Sequence, residues 1–285
     1  MMTAFNEYSA LKRVALRRPE AAFKDDARID AEWKPLNYHS RPDFGGAVRE
    51  YDKFSDLLAK GGAELITLPD APGLTLDSLY VRDSLIVTPK GIVLAHMGKP
   101  ARRAEPAANA AALGLPIAGE IKAPGMIEGG DLVWLDEKTL LVGVGYRTNT
   151  EAVRQLQAIL PEVAIHSFDL PHFKGRSDVF HLMSVLSPLD ADLACVYLPL
   201  MPVRLVELLE SRNIAFAEVP QDEFDSMGCN VLAISPRHVV MVSGNPGTAQ
   251  AMRAKGCTVE ILEAHEISRK GEGGPTCLTR PLVRG

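Results

Sequence analysis

Five polar or nucleophilic residues, Asp83, Asp131, His181, Asn230 and Cys277, follow one another at intervals of roughly fifty residues, and the first four sit in copies of one pattern. In the first copy Tyr80–Thr88 is a β-branched and apolar run, Pro89-Lys90-Gly91 a turn, Ile92–Ala95 a second strand and Arg102–Leu113 an alanine-rich helix. The second copy runs through strand Gly130–Leu135, turn Asp136–Lys138, strand Thr139–Gly143 and helix Thr150–Leu160. The third has His181–Leu186, turn Asp190–Asp192, Leu193–Tyr197 and helix Pro202–Glu210. The fourth has Cys229–Ile234, turn Pro236–His238, Val239–Val242 and helix Gly247–Lys255. Each closes on a further strand, as at Cys257–Leu262, so the unit is ββαβ. Repeats of this size stack or close on themselves, and a closed ring aims its equivalent positions at one axis. Residues far apart along the chain then share one central cavity. The competing arrangement, the same units laid out as an open sheet, keeps them apart.

The segment before the repeats reads differently. Arg13–Pro19 is a short strand stopped by proline, and Ala63–Leu68 is a second strand. Between them Ala47–Lys60 places Val48, Tyr51, Phe54, Leu57 and Leu58 on one helical face, with Gly61-Gly62 as the stop. Ala21–Gly46 is polar, broken by Pro35 and Pro42, and carries Phe23, Trp33, Tyr38 and Phe44. An irregular stretch of that length with aromatic anchors is expected to be a lid over a site, a solvent loop pinned by Trp33 being the alternative.

Composition narrows the partners. The 285 residues are 46% hydrophobic and 24% charged, enough for a sizeable core in one domain over 1–285. A net charge of −5 offers no electrostatic footprint for nucleic acid or an anionic membrane. The four cysteines, Cys195, Cys229, Cys257 and Cys277, form no CxxC pair, so neither a zinc ligand set nor a disulfide framework is expected. Met1–Lys12 lacks an apolar signal region and no apolar run is long enough to span a bilayer; a cytoplasmic setting is the expectation.

Cys277 follows Gly271-Glu272-Gly273-Gly274, and glycine lets a ligand approach the backbone closely. His181 stands at a strand entrance, and Glu128-Gly129-Gly130-Asp131 brackets a glycine pair with two carboxylates. Each has a bland reading taken singly: a core thiol, a structural histidine, a solvated turn. The run Asp77–Asp83 reads equally as a surface ion-pair cluster, Arg102-Arg103 as helix-face charges and Arg147-Thr148-Asn149 as a helix cap. Their joint occurrence at one end of repeated units is what favours a site.

The pieces Asp77-Ser78-Leu79-Tyr80-Val81-Arg82-Asp83, Ala101–Glu105, Glu128-Gly129-Gly130-Asp131, Arg147-Thr148-Asn149, Phe180-His181-Leu182 and Gly273-Gly274-Pro275-Thr276-Cys277 occur in that order. In them the chain resembles the dimethylarginine dimethylaminohydrolases, within the guanidino-group-modifying superfamily that also holds arginine deiminases and amidinotransferases. The resemblance runs from Val14 to Leu282. It implies a five-fold pseudosymmetric α/β propeller of ββαβ repeats. It implies Cys277 as nucleophile, His181 as general acid and base, and Glu128 as the group holding His181 and one guanidinium edge. Asp83 takes the other edge, Arg102 and Arg147 the substrate α-carboxylate, and Asp77 the α-amino end; Arg103 competes with Arg102. Arg82 and Asp131 complete the expected substrate-binding set. No metal or organic cofactor is implied. The expected partner is a small guanidino amino acid, with a homodimer left open.

The chemistry suits those roles. Paired carboxylates match a planar guanidinium and fix its carbon over the sulfur. A nearby cation favours the reactive thiolate, and both His181 and the bound guanidinium can supply one. Attack gives a covalent thiouronium, which water then hydrolyses to a ureido product such as citrulline. Two residues depart from the pattern. Arg82 stands where dimethylarginine hydrolases carry an acid, in the manner of deiminases, whereas Met183 stands where arginine deiminases carry an aspartate. The chain is also expected to lack the extra helical domain of those deiminases. Met183 suggests a pocket for a substituted, less polar nitrogen; a core role explains it equally. Hydrolysis of Nω-methylated arginine is therefore the first expectation, deimination of arginine or a related compound the second, and an arginine-type binding protein without turnover the third.

Overall fold

A computed structural model describes residues 5–176 and 178–285. Strand β1 (Leu11–Leu16) leads into helices α1 (Pro19–Ala22), α2 (Asp26–Glu32) and α3 (Phe44–Lys60), then β2 (Glu64–Thr67). The repeats follow as β3 (Leu85–Thr88), β4 (Gly91–Leu94), α4 (Glu105–Leu113), β5 (Ile117–Glu120), and β6 (Leu132–Asp136), β7 (Thr139–Val144), α5 (Thr150–Ile159), β8 (Ala164–Asp169). Next come β9 (Leu186–Asp190), β10 (Leu193–Val196), α6 (Val203–Ser211), β11 (Ala215–Glu218), and β12 (Leu232–Ser235), β13 (His238–Val242), α7 (Pro246–Ala254), β14 (Thr258–Leu262), with β15 (Arg280–Arg284) last.

Every repeat makes one three-stranded sheet whose middle strand pairs antiparallel with the strand before it and, across the helix, parallel with the strand after it. The fifth sheet has the same order with its parts drawn from both ends of the chain: β15 pairs antiparallel with β1, and β1 pairs parallel with β2 across α3. This is the expected α/β architecture, five three-stranded sheets in a pseudo-fivefold, propeller-like arrangement among the described residues. The sheets meet their neighbours around the ring. Strand β15 meets β3, β9 meets β12, and β12 meets β1. Ile86 and Trp134 share one apolar core between the sheets of β3–β5 and β6–β8, and Val133 and Leu186 share another between the sheets of β6–β8 and β9–β11.

Three readings are corrected by the coordinates. First, the strands that open the repeats begin later than their apolar runs. Leu76–Leu79, Gly129–Asp131 and Leu182–Ser184 are 3₁₀ turns ahead of β3, β6 and β9, so Asp83 and Asp131 sit on turned backbone and His181 is the extended residue that caps the third turn. A tight turn can aim a side chain along the ring axis, which a pleated strand, alternating between two faces, cannot do for successive residues. Second, Ala21–Gly46 holds a helix, α2, and the ends of two others. Asp25 caps α2 by accepting the Arg28 amide at 2.8 Å, and Asp43 caps α3 by accepting the Gly46 amide at 2.5 Å, which starts that helix at Phe44. Phe23 and Ile29 anchor the segment in the core, and Trp33 packs against the same cluster. Third, the helix expected from Arg102 begins at Glu105; Arg102 itself closes a 3₁₀ turn. Among the described residues no helix is long and apolar enough to cross a membrane.

Candidate active site

The turned segments bring the recurrent residues together. The His181 imidazole Nε2 lies 3.0 Å from Glu128 Oε2, and the same carboxylate accepts from Arg147 Nη1 at 2.9 Å and from the Lys99 amide at 3.1 Å. Asp83 accepts the Gly130 amide at 2.8 Å through Oδ1 and Arg102 Nη1 at 2.5 Å through Oδ2. Asn230 donates to the Cys277 sulfur at 3.3 Å, and its Oδ1 accepts the Thr276 amide and hydroxyl at 3.1 and 2.8 Å. Of the four cysteines only Cys277 is part-exposed; Cys195, Cys229 and Cys257 are buried.

Gly130 is what allows this crowding. A Cβ there would lie 2.4 Å from His181 Nδ1 and 2.9 Å from Asp83 Oδ1. Gly130→Ala is therefore expected to displace the imidazole and lower kcat by roughly tenfold or more. Overpacking of this kind also costs about 1–3 kcal/mol of stability, readable by urea denaturation.

Two cavities open on Cys277 and His181. A narrow cleft of about 40 Å³ is lined by Asp77, Asp83, Lys99, Arg102 and Arg147, and a cavity of about 400 Å³ lies on the other side. Val179 and Glu272 border both. Glu272 holds a left-handed backbone (φ 60°) and accepts from His39 Nε2 at 2.8 Å.

Arg102 borders the cleft and Arg82 the wider cavity, yet both are held by protein partners. Each guanidinium nitrogen of Arg102 is engaged: Nε and Nη2 grip Glu105 at 2.8 Å, Nη2 also reaches the Tyr80 carbonyl at 2.6 Å, and Nη1 takes Asp83. The expected carboxylate binder is thus committed to holding Asp83 in place. Arg82 Nε donates to the Thr276 carbonyl at 3.0 Å and Nη1 to Glu7 at 3.1 Å, which ties it to the backbone beside Cys277. Asp131 borders neither cavity; it is fully buried and accepts the Leu182 amide at 3.0 Å, steadying the turn that carries His181. Asp77 pairs with Lys99 at 2.6 Å on the wall of the cleft. Arg147 spends Nη1 on Glu128 and also borders the cleft. Asn230 was legible as an equivalent ring position but carried no assigned chemistry, and Lys99 gave no signal beyond its charge.

Asp83, Glu128 and His181 bring ligand atoms within 4.8 Å of one another, a spacing that could hold a metal ion. Arg102 and Arg147 already donate to the two carboxylates, so the set is better matched to a weakly hydrated, delocalised monocation than to a compact divalent ion. Each Asp83 oxygen accepts one hydrogen bond and keeps a lone pair to offer, whereas each Glu128 oxygen already has two partners.

The electrostatics are those of a resting thiol beside an imidazolium. Burial opposes charge on His181, but Asp131, Asp83 and Glu128 outweigh it and raise its pKa to about 9. Burial likewise opposes charge on Glu128, yet His181 and Arg147 hold it well below the usual carboxylate range. Burial pushes Asp131 up to about 6. Burial, then Asp83, lift the Cys277 thiol above its ordinary value of 9.0, against the hydrogen bonds from Asn230 and Thr276. A thiolate absorbance titration at 240 nm of the free protein should therefore give a Cys277 midpoint above 9.0. A bound, non-hydrolysed guanidinium such as methylguanidinium places a cation against the sulfur and should move that midpoint down.

The five-sheet frame and the family match place the chain in the guanidino-group-modifying superfamily. The arginine deiminase family model matches residues 76–213 and 202–284, and the chain belongs to that family. It is 28% identical over 284 residues to the uncharacterized protein YkgA of Bacillus subtilis, covering 98% of this chain and 94% of that one. It is 29% identical over 256 residues to the arginine deiminase of Listeria welshimeri; the match covers 73% of this chain but only 62% of that enzyme. The dimethylarginine dimethylaminohydrolase of Pseudomonas aeruginosa, solved with citrulline, superposes with a TM-score of 0.76 at 22% identity over 97% of this chain and all of that one.

Proposed function

We propose that the protein hydrolyses Nω-substituted arginine, in the first instance Nω-methylated arginine, to citrulline and the corresponding amine. The observation that carries this reading is the convergence of Cys277 and His181 on both a charged cleft and a wider cavity, with Asp83 on the cleft wall and Glu128 buried behind His181. In it, Arg147 and Lys99 meet the α-carboxylate and Asp77 the α-amino group, while Asp83 orients the guanidinium and Glu128, whose oxygens are already taken, holds His181 rather than the expected guanidinium edge. Arg102 positions Asp83, and Arg82 positions the nucleophile's backbone. The bound cation lowers the thiol pKa, the thiol proton passes to solvent, and the thiolate Sγ attacks the guanidinium carbon. The C–N bond to the departing nitrogen then breaks as His181 delivers its proton, which leaves a thiouronium on Cys277. Neutral His181 next takes a proton from water; the oxygen adds to the carbon, the C–S bond breaks, and the ureido product leaves with the thiolate restored.

Met183 favours the substituted substrate, because it lines the wider cavity where a carboxylate would favour unsubstituted nitrogen. Deimination of arginine is the second reading, and the family match favours it. Incubation with asymmetric dimethylarginine, Nω-methylarginine, arginine and agmatine, with assay of ureido product and amine, separates the two. If none yields a ureido product, and iodoacetamide labels Cys277 no faster than Cys195, Cys229 or Cys257, the protein is a binder and the reading fails.

A further inference from the structure

The wider cavity has a character that the reaction itself does not call for. Its inner wall is Phe180, Met183, Phe224 and Met227, and carboxylates of Asp178, Asp222, Asp225 and Glu272 stand around it. The aromatic wall is braced: Phe173 packs edge-on against Phe224 at 5.6 Å, and Phe224 stacks on Tyr197 at 4.0 Å. A volume of about 400 Å³ is that of a small-molecule site, far more than a methyl group fills.

We propose that this cavity is a leaving-amine subsite, selecting guanidino amino acids that carry a bulky apolar, chiefly aromatic, group on the ω-nitrogen. The proposal rests on the reading above and extends it to the substituent. With the amino-acid head in the cleft at Asp77 and Arg147, the guanidinium carbon lies over Cys277. The outer nitrogen then emerges beside His181 and Met183 on the wider side. No carboxylate at position 183 claims its hydrogens, and an apolar wall receives whatever it bears. The carboxylates disfavour an acidic substituent of the same size, because four of them border the cavity and, of its cations, Lys174 is paired with Asp225 at 2.7 Å and Arg82 with Glu7 at 3.1 Å, which leaves Arg269 alone against them. Cleavage forms the C–S bond, breaks the C–N bond and releases the bulky group as a primary amine that takes its proton from His181. Water then gives citrulline as before.

The test compares arginine with its Nω-methyl, Nω-benzyl and Nω-(carboxybenzyl) derivatives. Binding to the Cys277→Ser protein is measured by calorimetry and turnover by the native protein as citrulline release. The benzyl compound is expected to bind at least tenfold more tightly than arginine and the carboxybenzyl compound at least tenfold less tightly than the benzyl one. Phe224→Ala in the Cys277-containing protein is expected to lower the benzyl-to-arginine ratio of kcat/KM at least fivefold. Benzyl binding no tighter than arginine binding overturns the subsite whatever the variant does. Turnover of arginine with rejection of the benzyl compound sinks the subsite and spares the hydrolase. Tight benzyl binding with no turnover of any compound sinks the hydrolase and spares the subsite.

Discussion

Cys277→Ser is expected to lower kcat for the preferred guanidino substrate by at least roughly 10³-fold, in line with the loss of a nucleophile elsewhere, while substrate binding and thermal stability stay close to those of the native protein. The reason lies in the protonation of the neighbouring base. Asp131, Asp83 and Glu128 hold His181 as an imidazolium up to about pH 9, so at neutral pH no free base stands ready to take a proton from a serine hydroxyl. A thiol does not need one to the same degree. Its own pKa, though raised by burial and by Asp83, is within reach of the shift that an arriving guanidinium supplies. The site is therefore set for sulfur, and an oxygen in the same place is inert. Steady-state citrulline assays and calorimetric binding on the purified variant check this; a serine protein within tenfold of native kcat would remove Cys277 from the reaction.

Glu128→Gln is expected to cost nearly as much by a different route. The side chain keeps its shape but loses the charge that faces both His181 at 3.0 Å and Arg147 at 2.9 Å. Breaking a buried ion pair by neutralising one member costs about 3–5 kcal/mol, because the surviving cation stays buried without a partner. A kcat loss of roughly 10²–10³-fold should accompany it, since the imidazole loses the acceptor that orients it. The pH dependence carries a definite sign. Glu128 favours the imidazolium, so its removal lowers the His181 pKa from about 9 and moves the alkaline limb of the kcat profile toward neutrality. Stability follows the same linkage. The folded pKa of His181 is raised, so its contribution is full below the unfolded value of 6.5 and is lost as pH climbs through about 9. Glu128 is depressed, so its contribution is present above the unfolded value of 4.5 and fades in strong acid. Urea denaturation of both proteins at pH 6 and pH 10 should show the native protein losing more stability across that interval than the variant. Equal losses would mean that Glu128 does not set the charge of His181.

The periodic spacing of Asp83, Asp131, His181, Asn230 and Cys277 made the ring legible, since a repeat that returns to the same place needs no knowledge of packing. What the residues do at those places was only partly legible. An arginine that meets a ligand and an arginine that braces a carboxylate are the same letter, and Arg102 proves to be tied to Glu105 and Asp83 by contacts that no local pattern encodes. Arg82 likewise finds Glu7, 75 residues away. The strand starts were misread because a 3₁₀ turn such as Leu76–Leu79 has the same apolar composition as the strand it feeds. Helix α2 escaped notice because it buries only Ile29, which leaves no periodic stripe to see.

The pairing of β1 with β15 has a bearing on when the molecule first becomes competent. Cys277 sits three residues upstream of β15, whereas His181, Glu128 and Asp83 belong to sheets assembled wholly from local segments. A partly folded chain can thus gather its acids and its imidazole early, but the sulfur reaches them only after the two most distant strands have zipped together. Contacts of such long range form slowly. A half-built molecule therefore carries no misplaced reactive thiol at its centre, and chemistry begins with the last stitch of the ring.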